Sequence, residues 1–346
     1  MFDRGTRKRV LIVPIFIPNE GCPYRCIYCQ QEKITAQSAH PVDGSTIKQT
    51  LHNAINSTRF DASSEPEVAF YGGTFTRLSV GRMKEILEAA APFVREGLFK
   101  SIRVSTRPDS LQEEQLHLMR ERGVATVELG TQSMDDGVLE LSRRGHKARD
   151  TVESVHLLKA HGFKVGIQLM PGLPGDSEDA FRKTVDEVIR LRPDMVRLYP
   201  TLVIKGTELA TWYMENRYHP LSLDAAVRIC HESCVRLEQK GIPVIRIGLM
   251  SSPTLLLSDE IVAGPWHGAF GFLVRSGIHQ EKIASCLPRR GVAGQIRLRV
   301  PPTEIPLVRG YKNRGLRVIE EKTGARVVDT IGDDAVPSGQ VRVDVV

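Results

Sequence analysis

Short β-rich apolar runs alternate along the chain with longer stretches whose apolar residues recur at helical spacing. Strands are predicted at Val10–Ile17, Glu67–Tyr71, Ser101–Thr106, Ala125–Leu129, Lys164–Leu169 and Met195–Tyr199. Between and after them, Ser177–Leu191 puts Phe181, Val185, Val188 and Ile189 on one helical face. Ser222–Lys240 does the same with Ala226, Val227, Cys230, Cys234 and Leu237. Strands alternating with helices imply parallel strands joined by helical crossovers. The expectation is an α/β fold of six βα units, a partial (β/α)6 TIM-type barrel with helices outside. From Gln295 the pattern changes to a strand (Ile296–Val300), a short helical candidate, a Gly310-Tyr-Lys-Asn313 turn, a helix through Lys322 and a last strand, Gln340–Val345. Three parts follow: a core over 1–250, a connecting extension over 251–294 and a small α+β domain over 295–346.

Composition changes this picture little. With 346 residues, 41% of them hydrophobic and 25% charged, the chain can bury one large core and a small one. Arg4, Arg7, Lys8 and Arg9 precede the first apolar run, as in a signal sequence. No small-residue cleavage site follows, and the run is too short to span a membrane. A buried strand in a cytoplasmic protein, with no membrane attachment, is the expectation. The net charge of +6 suits a nucleic-acid partner without requiring one.

The first strand leads into Asn19-Glu-Gly-Cys22-Pro-Tyr-Arg-Cys26-Ile-Tyr-Cys29. Three thiolates so close can hold three corners of a cubane 4Fe-4S cluster and leave the fourth iron open to a non-protein ligand. Structural zinc needs four ligands, usually in two pairs, and no second pair follows at a finger-like distance. Disulfides would leave one thiol over. Cys230 and Cys234 share an apolar helix face and read as core.

Cys-x3-Cys-x2-Cys with Tyr28 before the last cysteine resembles the cluster loop of radical S-adenosylmethionine (SAM) enzymes. Tyr71-Gly-Gly-Thr74 resembles the Gly-Gly motif of that family. Thr106-Arg-Pro-Asp109, Glu128-Leu-Gly-Thr-Gln-Ser133, Arg144-Gly-His146, Leu169-Met-Pro-Gly-Leu-Pro174 and Leu198-Tyr-Pro-Thr-Leu-Val-Ile-Lys-Gly-Thr207 are similar to the radical SAM half of the Elongator catalytic subunit. The resemblance implies that Cys22, Cys26 and Cys29 hold the cluster and that SAM chelates the open iron. It implies cofactor contacts at Tyr28, Gly72, Gly73, Thr74, Gln132, Arg144 and Gln168. Gln132, Arg144 and Gln168 also resemble the polar residues that oxygen-independent coproporphyrinogen oxidases place around SAM, with Arg144 on its carboxylate. Tyr199, at the mouth of the sixth strand, is a candidate to line the substrate or carry a radical. His146 reads either as a substrate contact or as a helix-surface residue. Ser105 departs from the glutamate that precedes Thr-Arg-Pro-Asp in the Elongator family.

Leu316-Arg-Val-Ile-Glu-Glu-Lys-Thr-Gly-Ala-Arg326 resembles the second helix and next strand of KH domains. Gly310 and Asn313 then stand where KH domains carry the two glycines of a backbone-clamping loop. Pro306 is expected to disturb the short first helix, so an RNA-contacting module and a structural cap both stay open. The resemblance implies RNA modification, most directly of tRNA, with a reducing electron donor such as flavodoxin or ferredoxin. The acetyltransferase domain of Elongator-type enzymes has no room in this chain. The rivals are a coproporphyrinogen-oxidase-like enzyme acting on a small molecule and a non-catalytic iron-sulfur protein that binds RNA or haem.

Overall fold

The computed structural model describes residues 11–35, 42–249, 259–286 and 294–346. Arg4, Arg7, Lys8, Arg9 and Val10 lie outside them. Two compact units are present, one over 9–226 and 236–268, the other over 227–235 and 269–346.

In the larger unit, strands β1 (Ile12–Phe16), β2 (Glu67–Tyr71), β3 (Ser101–Thr106), β4 (Val124–Gln132), β5 (Lys164–Leu169), β6 (Met195–Leu198) and β8 (Val244–Ile247) form one sheet in that order. Every neighbouring pair is parallel. Because the order never reverses, right-handed crossovers place all the helices on one face. The sheet is a half-barrel of seven strands; the seventh, β8, was absent from the six-unit expectation. A short antiparallel ribbon, β7 (Val203–Ile204) with β9 (Ile261–Ala263), follows β6.

Outward-facing strand residues make the core. Val68, Phe70, Ile102, Val104, Val127, Leu129, Val165, Ile167, Val196 and Leu198 are all buried. The crossover helices supply matching stripes: Glu178–Leu191, capped by the Ser177 hydroxyl on Ala180 N, buries Phe181, Val185 and Val188. Two strands depart from the expected bounds. β4 runs to Gln132 because a register shift after Leu129 inserts an extra residue, and Gln132 has φ +67°. β6 stops at Leu198, leaving Tyr199 just past its end. Among the described residues no helix is long and apolar enough to cross a membrane.

In the smaller unit, β10 (Gln295–Val300) lies between β11 (Arg326–Gly332), parallel to it, and β12 (Arg342–Val345), antiparallel. Helices Phe270–Cys286, Ile305–Arg309 and Arg314–Thr323 accompany the sheet, and Ile283, Ile296, Leu298, Val300, Val308 and Ile319 form its core. Pro306 does not disturb its helix. It sits in the first turn, where the missing N–H has no partner to lose. Gly315 is required by packing, since a Cβ there would lie 2.3 Å from Val308 O.

Candidate functional site

The cysteine loop leaves β1 at the C-terminal end of the sheet, the end where barrel enzymes place their chemistry. Hydrogen bonds among protein groups shape it. Cys22 N donates to Asn19 O at 3.1 Å, Cys29 N to Cys26 O at 3.0 Å, and Thr74 N to Glu20 O at 2.7 Å. Gln31 ties both ends of the loop to the Gly-Gly turn, its Oε1 accepting from Asn19 N at 2.7 Å and Gly73 N at 2.9 Å. Gly72 and Gly73 have φ of +83° and +61°, and a Cβ on Gly73 would stand 2.3 Å from Glu20 O. The turn therefore needs glycine to clear the cysteine loop itself.

The thiols sit under unlike neighbours. Cys22 Sγ lies 3.4 Å from Thr74 Oγ1, and Cys26 Sγ accepts from Arg144 Nη1 at 3.1 Å. Burial, helped by the neighbouring Cys26 and Cys22, pushes the Cys29 thiol up to about 12. Burial also raises Cys22. Such thiols resist ionisation unless an iron takes the proton's place. Among the described residues no three His, Cys, Asp or Glu side chains close on one point as ligands of a single ion do. Three free thiols on one short loop are the donor set that three corners of a cubane take.

Arg144 is buried, not solvated, and donates to Gly130 O as well as to Cys26. Left-handed backbone at Arg143 and Gly145 turns it inward, and a Cβ on Gly145 would lie 2.6 Å from the Tyr24 ring. Arg107 joins these pieces. It pairs with Asp109 through two 2.9 Å bonds, donates to Arg144 O, and stands 5.4 Å from the centre of the Tyr24 ring. His146 is buried ahead of its helix rather than on a helix surface. Burial and the Arg144 and Arg107 cations hold it neutral, with its pKa lowered to about 3.

Buried polar atoms without a hydrogen-bond partner gather here, among them Gln132 Oε1, Arg144 Nε, Tyr28 Oη and the ring nitrogens of His146. Leaving buried polar groups unpaired is costly, which marks room for a polar ligand. The residues present thus fit both a cluster and a polar cofactor. Tyr28 packs instead with Ile27, Val138, Leu173, Val203, Leu209 and Tyr218, an apolar shell against which Cys26 and Cys29 rest. Gln168 and Tyr199 are half-buried further round the sheet, and Tyr199 Oη accepts from Arg197 Nη1 at 3.2 Å. Sequence reasoning missed Gln31, Arg107 and Tyr24. Each had a positional clue: Tyr24 stands inside the cysteine loop, Gln31 two residues past it, and Arg107 within Thr106-Arg-Pro-Asp109.

An all-parallel half-barrel with a three-thiol loop after its first strand defines a class of barrel enzyme that carries an iron-sulfur cluster. A family profile described as "Radical SAM superfamily" matches residues 16–188, and one described as "Radical_SAM C-terminal domain" matches 193–280. The chain belongs to the radical SAM superfamily, whose enzymes use a 4Fe-4S cluster and SAM. It is 31% identical over 230 residues to a "tRNA uridine(34) acetyltransferase" of Dehalococcoides mccartyi, covering 58% of this chain and 50% of the relative. With human "Elongator complex protein 3" it shares 37% identity over 124 residues, 35% of this chain and 23% of the relative. The chain thus spans half or less of these curated relatives. The archaeal Methanocaldococcus infernus Elp3 has the same fold, with a TM-score of 0.59 at 24% identity over 79% of this chain and 63% of that one.

Proposed function

We propose that this enzyme cleaves SAM reductively and uses the resulting radical to modify tRNA. The observation that carries the reading is the preshaped loop bearing Cys22, Cys26 and Cys29, beside buried polar atoms without partners. Held there, a reduced 4Fe-4S cluster would supply the one electron that breaks the sulfonium carbon–sulfur bond of SAM, releasing methionine together with a 5′-deoxyadenosyl radical. The chain's own residues do the rest. The three cysteines hold the cluster, and Arg144 and Gln132 take the polar end of SAM beside the Gly72-Gly73-Thr74 turn. The Tyr28 shell keeps water from the thiols. Gln168 and Tyr199 face the space where a substrate enters, and a flavodoxin- or ferredoxin-like donor supplies electrons.

The tRNA part of the reading rests on the names of the relatives and on the smaller unit. There a strand, two helices and a parallel strand follow the KH order. Between the helices, Lys312 and Asn313 adopt left-handed backbone, as a tight clamping turn requires, and Lys312 and Arg314 are exposed.

Anaerobic reconstitution with SAM and dithionite should release 5′-deoxyadenosine, and Cys22→Ala, Cys26→Ala or Cys29→Ala should each abolish both iron and product. Nucleoside mass spectrometry of tRNA from wild-type and deletion cells then identifies the modified position. Absence of product above a cluster-free control would sink the catalytic reading, and an unaltered tRNA profile the RNA reading. Replacing Lys312 and Arg314 with glutamate should flatten the salt dependence of tRNA binding by a slope of about 1–2.

A further inference from the structure

Charged side chains on the inner face of the large sheet pair with opposite signs across β2, β3, β4 and β6, while β5 sets the uncharged Gly166 opposite Glu128 and Gln168 opposite Arg197. Glu67 on β2 pairs with Arg103 on β3, Arg103 with Glu128 on β4 at 2.8 Å, and Glu128 with Arg197 on β6 at 2.6 Å. Tyr71 Oη joins by donating to Glu128 at 3.0 Å. Each buried charge is offset by one of opposite sign, as low polarity demands. The row continues on β8 with Arg246, directly opposite Arg197 in register.

There the alternation fails. Like charges directly opposite on one face destabilise a sheet. Among the described residues Arg246 has no carboxylate partner, and its one hydrogen bond runs from Nε to Gly248 O at 3.0 Å. The stretch 250–258 contains no Asp or Glu. The backbone is also bent to produce the arrangement. Val196 faces Val244 and Arg197 faces Arg246, so β8 inserts an extra residue, Ile245. Without that bulge the alternation of side chains would turn Arg246 to the outer face. The cost is visible in Ile245, an apolar side chain left 41% exposed. Bulges that re-aim a side chain gather beside active sites, and Gly248, just beyond Arg246, donates its N–H to Leu198 O at 2.8 Å, next to Tyr199.

We propose that Arg246, half-buried on the inner wall beside Arg197 and Tyr199, is an oxyanion site that binds a phosphate group carried by the substrate. A guanidinium offers paired donors in one plane, the geometry that a phosphate accepts. The missing negative charge at the end of the row is the ligand's. This inference rests on the reading above that the C-terminal end of the barrel is where the substrate reacts. Two sources carry the required group: a phosphodiester of RNA and a free phosphorylated co-substrate.

The test uses the full reconstituted chain with two probes, tRNA followed by fluorescence anisotropy across a salt titration, and inorganic phosphate followed by the unfolding temperature. Arg246→Gln should weaken the productive probe by about tenfold or more, and Arg246→Lys should restore part of that loss. A loss confined to tRNA, with a salt slope shallower by about one, assigns the site to the RNA backbone. Loss of the phosphate-induced rise in unfolding temperature assigns it to a free phosphorylated ligand. In either case the ligand-free Arg246→Gln protein should unfold about 1–2 °C higher than wild type, because the like-charged pair is gone. Unchanged responses to both probes, or a lower ligand-free unfolding temperature, would overturn the proposal. Release of 5′-deoxyadenosine by the wild type tests the underlying reading separately.

Discussion

The two faces of the large sheet meet the demands of burial in opposite ways. On the outer face, Phe70, Val104, Leu129 and Ile167 lie against helices, and their contribution is roughly proportional to the apolar area removed from water. On the inner face, Glu67, Arg103, Glu128 and Arg197 are held in place by directed pairs. Apolar contacts tolerate change because any neighbour of suitable volume serves. Ion pairs do not, because removing one partner strands the other without water to replace it. The outer face is therefore held by area, while the inner face is held by particular pairs.

Adjacent residues can be used to break this contrast. Glu128→Gln removes the carboxylate shared by Arg103 and Arg197, and should cost about 3–5 kcal/mol in chemical denaturation. A loss below about 1 kcal/mol would mean that water already screens the row. On the outer face, Ile167→Val removes one buried methyl group and should cost about 0.5–1.5 kcal/mol, with no dependence on pH.

The smallest effect contrasts two carboxylates. Burial opposes the Glu128 charge, but Arg197 and Arg103 overcome it and hold its pKa below the usual value. Asp176 accepts backbone N–H groups from Gly172 and Ser177 and faces no cation in those bonds, so burial raises its pKa from 3.8 to about 6. Between those values the folded chain binds more protons at Asp176 than the unfolded chain, so this group's contribution to stability falls as pH rises from 3.8 to about 6. Glu128 acts with the opposite sign, its contribution being lost as pH falls through its depressed folded value. Across that range the unfolding temperature of Asp176→Asn should climb relative to wild type as pH rises, because the one falling contribution has been removed. Parallel profiles would refute the assignment.

The same contrast explains what could be read from the sequence. Outer-face residues such as Val68 and Phe70, or Val127 and Leu129, mark their strands by local pattern, and the three cysteines lie within one short loop. The charge row joins residues from four strands, and nothing near Arg103 or Glu128 along the chain announces their pairing. β8 escaped notice because Pro243 precedes it, it has only four residues, and its bulge interrupts the alternation. His146 reads from the sequence as either a substrate contact or a helix-surface residue, because neighbouring charges such as Arg143 are polar context along the chain and not in space. Pro306 was misjudged because the position of a helix's first turn, not the presence of proline, decides the outcome.

Gln31 bears on how two loops are held across one another. One side-chain oxygen receives the backbone on both sides of the crossing, and none of the bonds among Asn19, Glu20, Gln31, Gly73 and Thr74 uses a thiol. The atoms that fasten the loop and the atoms it offers to a cluster are therefore different sets, so a change at Gln31 would loosen the crossing while all three thiols stay in the chain, whereas a change at a cysteine would remove a ligand and leave the crossing tied.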